Sequence, residues 1–328
     1  MPTRNQVHVD QMLTNISVAY MQDAAGFIAD KVFPIIPVQR QSDRYFVYNK
    51  GDMLRDEAQE RAPKTESAGS DYNVDNTPTY FCRQYAFHSD VDDVDRTNSN
   101  NPLQPDQDAT EYVSQKLMLK KENVFVNSFL KIGVWEHDVE GVESGSTNGK
   151  SILKWSDYSA STPSNDVQNL AQIIKGSTGY RPNTLVLSSD VRAVLLNHPD
   201  IKDRVKYVGR AMPGQVNSIL SEYFDVANVV VADSVVNKAG QGAEDDIDFI
   251  AKNSVLLCYS EPNPGLRKPS AGYIFAWTGL LGAGAFGNTI TRFPMEWLGN
   301  NCERIEGTMA FDMKVVCKDL GVYCHDVI

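Results

Sequence analysis

The sequence predicts an α+β fold, and three observations predict it. Residues 106–131 contain neither glycine nor proline, open on an aspartate and carry apolar side chains at helical spacing. Residues 165–260 alternate helix-like and strand-like segments at the short intervals of a compact α/β unit. Residues 288–299 and 304–319 then read as two long strands that return to the first half of the chain. With 328 residues, 42% of them hydrophobic and 22% charged, the chain can bury one elaborate core or two ordinary ones.

Taken in order, residues 1–37 read as an arm. Ala24, Phe27, Ile28, Val32 and Phe33 fall near helical spacing, and Pro34 and Pro37 stop the pattern. The opening twenty residues have no apolar h-region, so no signal peptide is expected. Residues 38–49 alternate and carry aromatics, which predicts a strand partnered by 78–91. Between them lies a long polar insertion, 50–77, dense in charge of both signs: Asp52, Arg55, Asp56, Glu57, Glu60, Arg61, Lys64 and Glu66. A short helix over 52–62, ended by Pro63, is expected there. Composition leaves two accounts open: a solvated excursion, or an arm that docks on another subunit with Met53 and Leu54 as apolar anchors.

Residues 90–102 are acidic but lack a calcium loop's glycine and glutamate; counted from Asp93, those places hold Asn98 and Gln104. They read as a loop into the helix 106–131. That helix has stripes at Val113, Leu117, Val124 and Phe125 and at Tyr112, Leu119, Val126 and Phe129, with Gly133 at its end. It would span roughly 39 Å at about 1.5 Å per residue. After a Gly/Ser-rich connection (141–164) come a helix over 165–175 closed by Gly176 and a strand over 184–188. A serine-capped helical stretch follows, bearing Val191, Val194 and Leu195 and interrupted at Pro199. Then come a helix (214–224), a strand (228–233), a flexible acidic loop (237–248) and a strand (254–260).

Charge excludes one class of function. With 31 basic against 42 acidic residues, a net charge of −11 and no basic run, the chain does not grip nucleic acid; beside it, this protein would contain it. Five cysteines, 82, 258, 302, 317 and 324, fit free thiols in a reducing compartment. Cys317, Cys324 and His325 have the wrong spacing for zinc, and buried or interfacial thiols are expected. The apolar run 271–287 is glycine-rich and shorter than the roughly 20 residues of a membrane span.

Two phosphate-binding patterns need testing. Gly282, Gly284 and Gly287 have the spacing of a dinucleotide fingerprint, with Glu306 at a plausible distance for a ribose. That motif needs a helix next, yet Thr289, Ile290, Thr291 and Pro294 follow, so a strand and close backbone packing are expected instead. Ser144, Gly149, Lys150 and Ser151 imitate a phosphate loop, but 137–143 does not read as a buried strand, nor 151–159 as a long helix. No Gly-x-Ser-x-Gly elbow exists, and His198 beside Pro199 reads as structural. No catalytic, cofactor-binding or metal residue is assigned.

The order of elements resembles that of the HK97-type major capsid proteins of tailed bacteriophages, over nearly the whole chain. "IADKVFPIIPVQRQSDRYFVYNKGDMLRDEAQERAPKTES" (28–67) resembles their N-arm and E-loop region, and "RPNTLVLSSDVRAVLLNHPDIKDRVKYV" (181–208) the opening of their A-domain. The resemblance implies an N-arm (1–37), an E-loop hairpin (38–91), a P-domain (92–164) with its spine helix (106–132), an A-domain (165–285) and P-domain return strands (286–328). It implies E-loop contacts with a neighbouring subunit through Met53, Leu54, Arg55, Asp56, Glu57, Arg61 and Lys64. It further implies a non-enzymatic subunit of hexamers and pentamers in an icosahedral shell, assembled in host cytoplasm and ending in the virion. That shell would enclose double-stranded DNA without sequence-specific binding, with no cofactor and no membrane. A portal protein is an implied partner, the short N-arm adds a separate scaffolding protein, and a decoration protein is left open. Some family members cross-link an E-loop lysine to a P-domain asparagine; Lys64 and Asn300 or Asn301 are those residue types, but no catalytic acid is identifiable and an uncross-linked shell is expected. An encapsulin-type cargo compartment is the alternative on the same fold, and a nucleotide-binding enzyme the alternative from another class.

Overall fold

The computed structural model describes residues 22–99, 103–145, 149–208, 216–265, 267–279, 287–298 and 301–328, with 204–208 and 216 described by backbone alone. The chain enters through a 3-10 turn (Ala24–Gly26), a one-turn helix α1 (Ala29–Val32) and strand β1 (Ile35–Val38). The single strand expected over 38–49 is divided into the end of β1, β2 (Ser42–Arg44) and β3 (Val47–Tyr48). Helix α2 (Lys50–Leu54), β4 (Val74–Asp75), β5 (Thr79–Phe81) and β6 (Arg83–Asp92) follow. β2 pairs with β5 and β3 with β4, both antiparallel, so the hairpin between the two halves of 38–91 is present.

The helix expected over 52–62 ends at Leu54. Asp56, Glu57 and Glu60 would stand at its C-terminal half, against the dipole, and no apolar residue between 55 and 61 other than Ala58 offers a face to bury. Residues 90–102 are not simply a loop. β6 runs to Asp92, whose carboxylate accepts from Val94 N–H at 2.7 Å and caps helix α3 (Asp93–Asn98). The same acids that suggested a turn favour a helix start, with Arg96 in the last turn.

Helix α4 (Pro105–Phe129) is 25 residues long, opens on Pro105 with Asp106 and Asp108 in its first turn, and is capped at Leu130 rather than ended by Gly133. It lies across β6 and a long strand described below, β16. Val113, Leu117, Phe125, Val126 and Phe129 are buried as expected; Tyr112 is exposed. Strand β7 (His137–Val142) is half-buried, where 137–143 does not read as a buried strand, and β8 (Ser151–Leu153) lies within what reads as connection. Helix α5 (Pro163–Thr178) runs past Gly176 and closes at Gly179, whose φ of 78° supplies the left-handed cap.

The compact α/β unit continues with β9 (Thr184–Ser188), α6 (Ser189–Asn197), α7 (Pro199–Val208), α8 (Val216–Phe224) and β10 (Asn228–Ala232). Ser188 makes no capping bond; its hydroxyl accepts from Ser254 N–H at 3.1 Å. The loop expected over 237–248 is bounded by an antiparallel pair, β11 (Val235–Asn237) and β12 (Ile247–Phe249). Last come β13 (Ser254–Cys258), β14 (Gly272–Trp277), β15 (Asn288–Pro294), β16 (Cys302–Val315) and β17 (Gly321–His325), the last not anticipated.

Two large sheets result. In the first, β16 pairs with β6 along one edge and with both β15 and β14 along the other, and β1 adds parallel to β14. The second has the order β10-β9-β13-β17-β7-β8. One contiguous core joins them. At its centre the fully buried ring of Phe33 meets Phe125, Phe129 and Trp135 edge-on at 5.2, 4.9 and 6.4 Å. Gly307 lets α4 close on β16, since a Cβ there would sit 2.6 Å from Val113.

Among the described residues one carboxylate is fully buried. Glu122 is fully buried on α4, and its Oε2 accepts from the N–H groups of Ile28 and Ala29, each at 3.0 Å, while Oε1 faces the Ser234 hydroxyl. Lys121 pairs with Asp30 beside it. Burial pushes the Glu122 carboxyl up to about 7 despite these donors. The folded chain therefore binds the proton more tightly than the unfolded one, so stability falls as pH rises from 4.5 to about 7 and is level above that. Glu122→Gln keeps an acceptor for both N–H groups and should flatten that slope in urea unfolding compared at about pH 5 and about pH 8. Glu122→Ala strands both donors and should cost about 1–3 kcal/mol.

Candidate functional site

The long hairpin between β2 and β5 stands out by what it leaves uncovered. Asn49 caps α2 by accepting from Gly51 N–H at 2.8 Å. Asp52 reaches across to the returning limb and accepts from Asn73 through both its backbone N–H (3.0 Å) and side-chain amide (3.1 Å). Arg55 lies between Asp52 (3.5 Å) and Glu57 (2.9 Å), and the Ser70 and Arg55 hydrogen bonds hold the Glu57 carboxyl below its ordinary value. Arg61 Nε donates to the Thr65 carbonyl at 2.6 Å, and Lys64 turns the chain at a φ of 66°. The tip is thus an ordered structure built from its own polar groups.

Its apolar side chains face outward. Met53 is 52% and Leu54 62% exposed on α2, and Phe46, Tyr72 and Phe81 elsewhere along the hairpin are more than half exposed. The sequence singled out Met53 and Leu54 but not the three aromatics, of which only Phe81 lies within a strand. Of the seven expected contact residues, the structure joins Arg55 to Glu57 and leaves Met53, Leu54, Asp56, Arg61 and Lys64 exposed.

The base of the hairpin is better packed. Tyr80 stacks on Phe275 at 4.6 Å, and Cys82 is buried with them. Acids expected in a loop at 90–102 have partners instead. Arg96 bonds Asp93 (2.8 Å), Asp106 (2.8 Å) and Glu303 (2.6 Å), and Arg292 joins the same Asp106 and Glu303. Arg304 grips Asp90 with two bonds, at 2.8 and 2.9 Å. These pairs tie α3, α4, β6, β15 and β16 together. Among the described residues no three of His, Cys, Asp and Glu gather as a metal set, and no helix is long and apolar enough to cross a membrane. The five cysteines are free; Cys317 is half-buried and the rest are buried.

The tempting patterns resolve into structure. Gly282 and Gly284 lie outside the described residues. Gly287, at φ 66°, sits at the seam where β14 and β15 share an edge of β16, and a Cβ there would meet the Ala310 carbonyl at 2.7 Å. β15 begins at the next residue, so a strand and not a helix follows Gly287. The phosphate-loop imitation is flanked by β7 and β8, and residues 146–148 within it lie outside the described set.

A serine–histidine pair does exist, at Ser161 and His198, 3.1 Å apart and buried. Its polarity is wrong for a nucleophile. His198 Nδ1 accepts from Asp200 N–H at 3.3 Å, which leaves the ring proton on Nε2, donated to Ser161. Ser161 gives its own proton to the Asp157 carbonyl. A general base would have to accept from the serine. Burial also holds the imidazole below its ordinary value, against the opposing pull of Asp200.

The sequence matches no family model. A major capsid protein of Burkholderia phage BcepMu is 22% identical over 228 residues, covering 69% of each chain. Among solved structures, a phage-related protein from Bordetella bronchiseptica RB50 has a TM-score of 0.67 at 19% identity, over 93% of this chain and 94% of that one. A capsid chain of Cyanophage P-SCSP1u has a TM-score of 0.60 at 10% identity, over 98% and 93%. An encapsulin of Synechococcus elongatus PCC 7942 has a TM-score of 0.57 at 10% identity, over 97% and 92%. The chain has the HK97-like capsid fold, as the order of its elements implied.

The tie across the hairpin tip is directly testable. Asp52→Ala removes the acceptor of both Asn73 donors, and hydrogen exchange at Asn73 should accelerate about five-fold or more, one ordinary hydrogen bond's worth. Exchange in β6 and β16 should not change.

Proposed function

We propose that this chain is the major capsid protein of a tailed bacteriophage, a structural subunit that assembles into an icosahedral shell around double-stranded DNA. The observation that carries this reading is the ordered hairpin tip with its outward apolar side chains, set on a chain that has the HK97-like fold. A tip held by Asp52, Asn73, Arg55 and Glu57 is not a solvated excursion, and exposed Phe46, Met53, Leu54, Tyr72 and Phe81 along the hairpin mark a surface awaiting a partner.

On this reading the partner is a second copy. Residues 1–37 are the arm, 38–91 the hairpin that lies across the neighbour, 92–164 and 286–328 the peripheral domain and 165–285 the axial domain. Met53 and Leu54 anchor the contact, and Arg55, Asp56, Glu57, Arg61 and Lys64 set its geometry, each exposed pair contributing little, about 0–1 kcal/mol. Hexamers and pentamers use the same surfaces, a separate scaffolding protein and a portal protein guide closure in the host cytoplasm, and the subunit performs no catalysis. The acidic balance of the chain, −11, suits a wall that does not hold the genome back.

Similarity to the Synechococcus encapsulin supports a second reading, a cargo compartment. Negative-stain electron microscopy of the protein expressed alone and with its scaffold separates them: genome-sized shells fit a capsid, and small shells loaded with an enzyme fit a compartment. A uniform small oligomer under both conditions would sink both. Met53→Ser with Leu54→Ser should remove about 1–2 kcal/mol of apolar burial per side chain at each contact. Shells should then be lost or need a much higher protein concentration, while the circular dichroism of the free subunit stays that of the parent.

A further inference from the structure

The hairpin is fastened to its own subunit at few points. Lys50, the first residue of α2, pairs with Asp319 in the 3-10 turn Lys318–Leu320. The Arg267 guanidinium lies 5.8 Å from the centre of the Tyr48 ring. Near the base, Phe81 N–H donates to Asp312 at 2.9 Å. Farther out, Asp52 with Asn73, Arg55 with Glu57, Arg61 with Thr65 and Tyr72 with Tyr48 satisfy one another. The tip is therefore one unit, joined to the body through β3 and β4, a pair only two residues long, and through Lys50 and Tyr48.

We propose that Lys50–Asp319 and Arg267–Tyr48 form a latch that sets the departure angle of the hairpin in the free subunit and opens when a second copy of this chain takes the hairpin up. This rests on the shell reading above. The energetics favour a latch over a weld. Lys50 and Asp319 keep 47% and 31% of their side-chain surface in water, so parting them is cheap and salt weakens them further. Covering Met53 and Leu54 on a neighbour outweighs that loss. A subunit that must enter rings of two sizes needs such a joint, defined at rest and yielding on contact.

Cys317 reports on the latch. It is the half-buried cysteine, two residues from Asp319, and its thiol is pushed up to about 11 by burial first, then raised by Asp319 and lowered by Lys50. Alkylation of Cys317 by iodoacetamide, read by mass spectrometry on free subunit below its assembly concentration, follows opening without requiring assembly. Lys50→Met should speed labelling about two- to five-fold, the range an exposed ion pair supports, and so should salt in the parent but not in the variant. The exchange Lys50→Asp with Asp319→Lys should restore the slow rate. In assembly followed by light scattering at low salt, Lys50→Met should shorten the lag. Labelling unchanged by both Lys50→Met and salt would overturn the latch, even if shells form. Labelling that responds in a protein that never forms shells would leave the latch standing and remove the shell reading.

Discussion

Two backbone N–H groups, at Ile28 and Ala29, are buried beside a helix that could offer them nothing but side chains, and a single carboxylate satisfies both. Much of the architecture depends on that meeting. Where Glu122 holds the entering chain, Phe33 is delivered one turn later into the aromatic cage of Phe125, Phe129 and Trp135, and β1 is set down along β14. A charge in such a place is costly, which is why its carboxyl is held toward neutrality. The cost secures a definite register, since one carboxylate oxygen takes both donors at once.

From that junction outward the molecule divides into stiff and yielding parts. α4, β6 and β16 are locked by apolar contact and by the arginine pairs at Arg96, Arg292 and Arg304. The hairpin beyond Tyr48 has internal order but little attachment. On the proposed reading, rigidity within the tip would preserve the shape a partner recognises, and compliance at its root would let that shape be presented at more than one angle.

Much of this was legible in the amino-acid order. The buried strand 184–188, the helix that became α4 and the return strands at the end announce themselves through unbroken apolar runs or clear periodicity. Met53 and Leu54 stood out as apolar residues in a charged stretch. Glu122 was hidden because an acid on a long helix ordinarily faces water; only its place in the stripe, four residues before Val126 and seven before Phe129, marks it. α3 was missed because aspartates that suggest a loop are equally the acids of a helix start. β17 carries too short a run to declare itself, and its identity as a strand comes from β13 and β7 on either side. The helix runs past the expected stop at Gly176 because the left-handed φ that ends it belongs to Gly179, and sequence does not display φ.

The position of β17 also bears on how the subunit comes into being. It lies in the interior of the six-stranded sheet, between a strand made some sixty residues before it and one made well before that. Until residues 321–325 leave the ribosome, β13 and β7 have no bridge, and the sheet remains two separate ribbons. An incomplete chain therefore lacks a finished body on which to carry its sticky hairpin. In this order of synthesis the hairpin is made before the frame that carries it is complete.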